Sequence, residues 1–333
     1  MQPLSDGITI MTVAIRRHYR YVPLQLRIIE AMNPGQDFKF LVVDNRSADA
    51  SQLVVDDPRC EVMAGVERGT VGAHGAGSYH HAAALNAALK RVKTRYALVI
   101  DPDLFAIYRN WITECIDHMR RQDLTFFGVP WHYSRPNKWR YFPCVHFLLM
   151  DLHKIDPDAV DFTPALHEDR QQMNSKSSVW LRRNAPFIYA HMLVESRRDT
   201  GWKLRRDFGR SRRSDVVQPV IDMDQAFQNP KYLRTTVGRW VEQHLPRRWS
   251  LYPAAGSYVT PARAPAFDWE ELRSLEPEAF VWRGAPFAIH MRRNARDKEG
   301  TDLDHQTEDE AVWGAVKLMA RAKAWTEWGL AVP

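Results

Sequence analysis

The sequence predicts an α/β fold: a mostly parallel sheet flanked by helices. Three observations carry this. Short apolar, β-branched runs alternate with helical patterns through the first 130 residues. The helical segments between them serve as right-handed crossovers between parallel strands. And the run Tyr96–Ile100 breaks abruptly into Asp101-Pro102-Asp103, as a buried strand does when it reaches the edge of a sheet.

In order, Ile8–Ile15 is apolar and β-branched and reads as the first strand. Tyr21–Met32 sets Leu24, Leu26, Ile28 and Ile29 in a helical context and is closed by Asn33-Pro34-Gly35. Phe38–Val43 is the second strand, ending at Asp44-Asn45-Arg46-Ser47, and Glu61–Ala64 is a short third. Ser78–Val92, rich in Ala and Leu, is a helix, Tyr96–Ile100 the fourth strand, and Trp111–Met119 an amphipathic helix. Beyond Leu124–Pro130 the pattern loosens. Cys144–Met150 and Pro186–Val194 read as strands, Phe287–His290 ends a short apolar run, and Glu308–Trp328 reads as an amphipathic helix with Val312, Val316, Met319 and Ala320 at helical spacing. Asn229–Pro277, dense in Pro, Arg and aromatics, receives no assignment.

Composition narrows the class. A hydrophobic fraction of 45% over 333 residues is that of a globular protein. No apolar run approaches the roughly 18 residues of a membrane span, and the N-terminus lacks the pattern of a signal peptide. Cys60, Cys115 and Cys144 form no Cys-x-x-Cys pair, which fits a reducing, cytoplasmic setting. A net charge of +6 with pI about 9.2 suits phosphate-bearing substrates or an anionic surface. No nucleic-acid recognition motif is present, so a nucleic-acid partner is not expected.

Asp101 and Asp103 stand at the carboxyl end of a core strand, where open α/β sheets bind ligands. Pro102 stops strand pairing and fixes the turn. Paired carboxylates on a rigid turn suit a hard divalent cation shared with a substrate phosphate; a plain Asp-Pro turn is the alternative. Asp44 ends the second strand at the same edge, either as a ligand contact or in an Asx-type turn with Asn45 and Ser47. Thr12, Ala14 and Ile15 end the first strand there. Gly69–His81 holds four glycines and His74, His80 and His81 ahead of a helix whose N-terminal N–H groups can meet phosphate.

Three ordered motifs resemble the family-2-type glycosyltransferases of GT-A fold. Phe40–Asp49 (FLVVDNRSAD) looks like their second-strand motif, Ala82–Leu89 (AAALNAAL) like the helix that follows, and Tyr96–Asp103 like their metal strand. Phe147–Asp151 is similar to the strand that crosses beneath the acceptor site. The resemblance covers about the first 105 residues in order and spacing and is faint over the last third. It implies a GT-A-like, Rossmann-type sheet with a C-terminal acceptor-side extension. Residues 1–130 are expected to be the nucleotide-sugar-binding half, and 131–333 the acceptor-binding half of the same globular unit.

The resemblance also implies roles. Asp103 binds the metal, Mn2+ or Mg2+. Asp101 ligates it or contacts ribose, and Asp44 contacts the nucleotide. His80 or His81 stands where the family often has a basic residue on phosphate, with Asn86 on the helix behind. A C-terminal His, here His290, completes the metal sphere, and its neighbours Arg292, Arg293 and Arg296 bind diphosphate as bidentate arginine does. His167, His191 and His305 are rivals for the imidazole. The general base is assigned to Asp199, because Asp199–Leu204 (DTGWKL) resembles the start of the helix where the family places it; Glu195, Asp169 and Asp222 are rivals, and an N-cap role is the alternative.

The expected reaction is inverting transfer of a sugar from a nucleoside diphosphate sugar, UDP-linked, to a hydroxyl acceptor on a surface glycan or lipid-linked saccharide. Basic runs at Arg205–Arg213 and Arg247-Arg248 are either solvated faces or contacts with anionic headgroups at the inner membrane face. Trp131, Trp139 and Tyr141 either stack on a sugar or pack in the core. A nucleotidyltransferase of similar sheet would need a glycine-rich loop after strand one, where this chain has Arg16-Arg17-His18-Tyr19-Arg20. A non-catalytic binding module is the remaining alternative, disfavoured by the intact Asp101 and Asp103.

Overall fold

A computed structural model of the protein describes residues 4–15, 18–19, 21–45, 53–65, 76–132, 138–185, 197–221, 258–263 and 278–291. Its strands are β1 (Ser5–Ala14), β2 (Lys39–Asp44), β3 (Cys60–Ala64), β4 (Thr94–Ile100), β5 (Leu104–Ala106), β6 (Phe126–Gly128), β7 (Phe147–Asp151), β8 (Ser214–Val216), β9 (Gln218–Pro219), β10 (Glu278–Trp282) and β11 (Ala285–His290). Its α-helices are α1 (Tyr21–Met32), α2 (Ala76–Leu89), α3 (Trp111–Arg121), α4 (Leu166–Asn174), α5 (Lys176–Asn184) and α6 (Trp202–Phe208).

A seven-stranded sheet runs β3-β2-β1-β4-β7-β6-β8. The pairs β1–β2, β2–β3, β1–β4 and β6–β8 are parallel, and β7 lies antiparallel between β4 and β6. The expected α/β architecture with a mostly parallel sheet is therefore present. Tyr96–Ile100 is buried along its whole length, as a continuous apolar run must be when both faces of a parallel sheet are covered. The chain winds outward from β1 to β3 and returns to the other side of β1 as β4. That reversal opens a crevice beyond the carboxyl ends of β1 and β4, the usual ligand position in such sheets.

Immediately after β4, the Asp101–Asp103 turn feeds β5, the edge of a second, four-stranded sheet ordered β5-β11-β10-β9. Within it β10 and β11 form a hairpin whose two-residue loop, Arg283-Gly284, has φ of 51° and 78°. Positive φ at both central residues matches the twist of the flanking strands. At Gly128 an added Cβ would lie 1.9 Å from the Phe147 carbonyl oxygen, so β6 and β7 approach as closely as they do only with glycine there.

One hydrophobic core runs from Ile8 to Ile289 and draws strands from both sides of residue 130. The strand expected from Cys144 begins at Phe147, because Val145 and His146 turn the chain into it. The expected elements at Pro186–Val194 and Glu308–Trp328 lie outside the described residues. No helix among the described residues is long and apolar enough to cross a membrane.

Candidate metal and donor site

The Asp101–Asp103 turn is pinned from three directions. The Asp101 amide donates to the His146 carbonyl at 3.0 Å, and the Met291 amide donates to the Asp103 carbonyl at 2.9 Å. From α1, the buried Gln25 side chain donates to the carbonyls of Asp101 and Leu104 at 2.7 and 2.8 Å. Pro102 is buried, so the turn cannot splay outward. Both carboxylates are held in place by backbone that other elements grip.

Imidazoles surround them. His290 Nε2 lies 3.3 Å from Asp103 Oδ1 and 3.9 Å from Asp101 Oδ2; His146 Nε2 lies 3.6 Å from the same Asp101 oxygen. His81, on the first turns of α2, has its Nε2 3.9 Å from Asp101 Oδ1. Asp101, His146 and His290 each offer a ligand atom within 4.8 Å of the others. Behind His290, the buried Glu278 accepts from Nδ1 at 2.8 Å. That bond fixes the ring so that Nε2 faces the carboxylates, an arrangement common behind metal-ligating histidines.

The electrostatics follow from this crowding. Burial would lower His290, but the charges and hydrogen bonds of Asp103 and Glu278 hold it well above the ordinary imidazole range. Burial would raise Asp103 and Glu278. His290 outweighs it at both, bringing Asp103 down to about 2 and Glu278 well below the usual carboxylate range. His81 goes the other way: burial pushes it down to about 4, with His18 adding to the drop and Asp103 opposing it. The donor set of two carboxylates and oriented imidazoles fits a divalent cation.

The other expected residues fall as follows. Asp44 is buried at the end of β2, beside Ala14 in the β1–β2 register, and accepts from the Tyr19 hydroxyl at 2.6 Å. Thr12 and Ala14 are fully buried in β1. His80 is half-buried next to Tyr79. Asn86 is engaged elsewhere: its amide donates to Asp161 Oδ1 at 3.2 Å, and its oxygen accepts from the Phe162 amide at 3.0 Å. It holds the 161–163 loop against α2. Arg292 and Arg293 lie outside the described residues, as do Arg296, His191, Glu195, Asp222, Arg247-Arg248 and His305.

Asp199 forms an ion pair with Lys138. The Lys138 ammonium sits 5.0 Å from the Trp131 ring, and that ring stacks edge-on at 4.5 Å against His146. A continuous set of contacts thus joins Asp199 to the Asp101 cluster. The N-cap of α6 is Gly201, at φ 84°, so Asp199 does not cap the helix. Its rival Asp169 is buried and accepts from the Arg197 amide and Arg198 guanidinium. His167 sits on exposed α4 surface with Gln171. Trp131 and Trp139 pack edge-to-face in the core, and Arg205 and Arg206 lie over Tyr141 and Trp202.

His146 and Glu278 are the functional candidates that sequence reasoning missed. His146 immediately precedes an apolar strand, but only the antiparallel β4–β7 register brings it beside Asp101.

The model of the family described as "Glycosyl transferase family 2" matches residues 24–192, about half of the chain. No curated protein matches it in sequence. Among solved structures, the galactosyltransferase LgtC in complex with donor and acceptor sugar analogs is similar at 14% identity and TM-score 0.42, over 96% of this chain and 99% of that one. S. aureus TarS 1-349 in complex with UDP-GlcNAc is similar at 15% identity and TM-score 0.28, over 37% of this chain; the match spans about a third of the TarS chain, 34%. The mannosyltransferase PcManGT from Pyrobaculum calidifontis, in complex with GDP-Man and Mn2+, is similar at 15% identity and TM-score 0.34, over 46% and 49%.

Proposed function

The chain belongs to glycosyl transferase family 2, and on that premise we propose that it is a divalent-cation-dependent, inverting glycosyltransferase with a UDP-sugar donor. The observation that carries this reading is the convergence of Asp101, Asp103 and His290 beyond the carboxyl end of β4, with buried Glu278 orienting His290. Asp103, Asp101 and His290 would hold the cation, Mn2+ or Mg2+. When bound, it supplies neutralisation of the negative charge that gathers on a departing diphosphate.

The chain's own residues would do the rest. Asp44 meets the nucleoside at the end of β2, and the buried Thr12 and Ala14 shape the floor beneath it. His81, uncharged at neutral pH, offers the diphosphate a hydrogen-bonding imidazole rather than a positive charge, with His80 beside it. Arg292 and Arg293, two and three residues beyond His290 in sequence, supply that positive charge. On the acceptor side, Asp199 takes the hydroxyl proton. The acceptor oxygen attacks the anomeric carbon as the bond to the diphosphate breaks. The ion pair with Lys138 holds the carboxylate in place beside Trp131. The acceptor is a surface glycan or lipid-linked saccharide met from the cytoplasmic side, with the exposed basic residues Arg210, Arg212 and Arg213 facing anionic headgroups.

Asp103→Ala is expected to abolish Mn2+-dependent UDP binding measured by calorimetry, and an affinity equal to wild type would reject the metal role. Asp199→Asn is expected to leave UDP binding intact and cut transfer by about 10²–10⁴. Full turnover in that variant would move the base elsewhere.

A further inference from the structure

We propose that His146 is a ligand of the bound cation, making the centre a set of two imidazoles and two carboxylates that selects a transition-metal ion over Mg2+. This rests on the reading that the Asp101–Asp103 turn holds a cation. Pairing of Ile100 with Phe147 in the antiparallel β4–β7 ladder places residue 146 beside residue 101. The hydrogen bond from the Asp101 amide to the His146 carbonyl locks that adjacency. The ring is buried and held on two sides, by Trp131 at 4.5 Å and by His290 at 4.2 Å between centroids.

The spacing has a direction. His146 and His290 aim Nε2 at the same Asp101 oxygen, from 3.6 and 3.9 Å. These separations are too long for hydrogen bonds to that oxygen. They lie between the two spacings of donors around one ion: with bonds of about 2.1 Å, neighbouring ligands stand roughly 3.0 to 3.4 Å apart and opposed ones about 4.2 Å, so side-chain shifts of a few tenths of an ångström bring these atoms onto a shared ion. The Asp103–His290 separation of 3.3 Å already falls in the neighbouring-ligand range. Mg2+ prefers an all-oxygen shell and keeps its waters, whereas imidazole suits later, softer ions. A second imidazole therefore adds little for Mg2+, more for Mn2+ and most for a later ion such as Co2+.

The test is pulsed electron paramagnetic resonance of Mn2+ bound to the full-length protein, which counts coordinated imidazole nitrogens. Wild type is expected to show two and His146→Gln one. The Mn2+/Mg2+ affinity ratio from calorimetry is expected to fall roughly tenfold or more in the variant, since even an outer partner of a metal ligand is worth that much. One nitrogen in wild type, with the spectrum unchanged in His146→Gln, would overturn the proposal while leaving the cation site standing. Failure of wild type to bind Mn2+ at all would overturn the cation site itself, and the proposal with it. Should His146→Gln not fold, the wild-type count alone decides.

Discussion

The strand pair β4–β7 carries a carboxylate at each end, Asp151 buried and Asp101 half-buried, and the two ends treat it differently. At one end Arg95 grips Asp151 with a fork of 3.1 and 2.8 Å, and the His153 amide adds a third bond at 3.1 Å. At the other, Asp101 is faced by imidazoles that stand off at 3.6 to 3.9 Å. Guanidinium is always charged and matches a carboxylate in shape, so it closes the site. Imidazole is a ligand as well as a base and can trade a proton for a cation. One end of the ladder is closed by a guanidinium fork; on the reading proposed above, the other is completed by the cation.

The sharpest way to break this contrast is Arg95→Ala. Asp151, 1% exposed, would be left buried and charged without its partner, at a cost of about 3 kcal/mol in folding free energy. Denaturant titration should show that loss, while Mn2+-dependent UDP binding per folded molecule stays at wild type. A stability unchanged within error would mean that Arg95 does not neutralise Asp151 in the way the fork implies. Glu278→Gln probes the open end. The amide keeps the shape and a hydrogen bond to His290 but removes the charge that raises the ring's basicity, so Mn2+ affinity should fall about tenfold with little change in fold. Equal affinity in calorimetry would show that Glu278 only fills space.

The same contrast explains what the sequence could and could not reveal. The α1 boundaries at Tyr21 and Met32 coincide with the expected ones, because helical spacing and the Asn33-Pro34-Gly35 stop are local signals. β4 and its Asp-Pro-Asp turn were equally legible, since an apolar run and a proline announce themselves. His146 was not. Its place beside Asp101 comes from an antiparallel register between segments about 45 residues apart, which no local pattern encodes. Glu278 was hidden for a related reason: a charged residue at the head of a wholly buried strand makes sense only once His290 pairs opposite it across the hairpin. Asn86 shows the converse. Its helix is in place, yet its side chain is taken by a loop 75 residues further on. The α4–α5 pair carries little apolar periodicity, so its helices come from local propensity and the Ser175 cap rather than from a core-facing stripe.

Asp161 sits between the two extremes, and it gives the smallest expected effect. Its carboxylate accepts from the Thr163 amide and hydroxyl, both at 2.8 Å, from Lys203 at 3.0 Å and from Asn86 at 3.2 Å. Burial would raise it, but these bonds prevail and bring it from the ordinary 3.8 down to about 2. A value depressed in the folded state means that the unfolded chain binds the proton more readily. The contribution to stability is therefore full above about pH 4 and is lost as pH falls toward about 2. The stability gap between wild type and Asp161→Asn should narrow across that window and stay constant above it. The effect is small because the side chain is 37% exposed and water screens the charge. A gap that does not change with pH would show that the loop is held by the shape of its hydrogen bonds and not by the charge of Asp161, placing it nearer the closed end of the comparison than the open one.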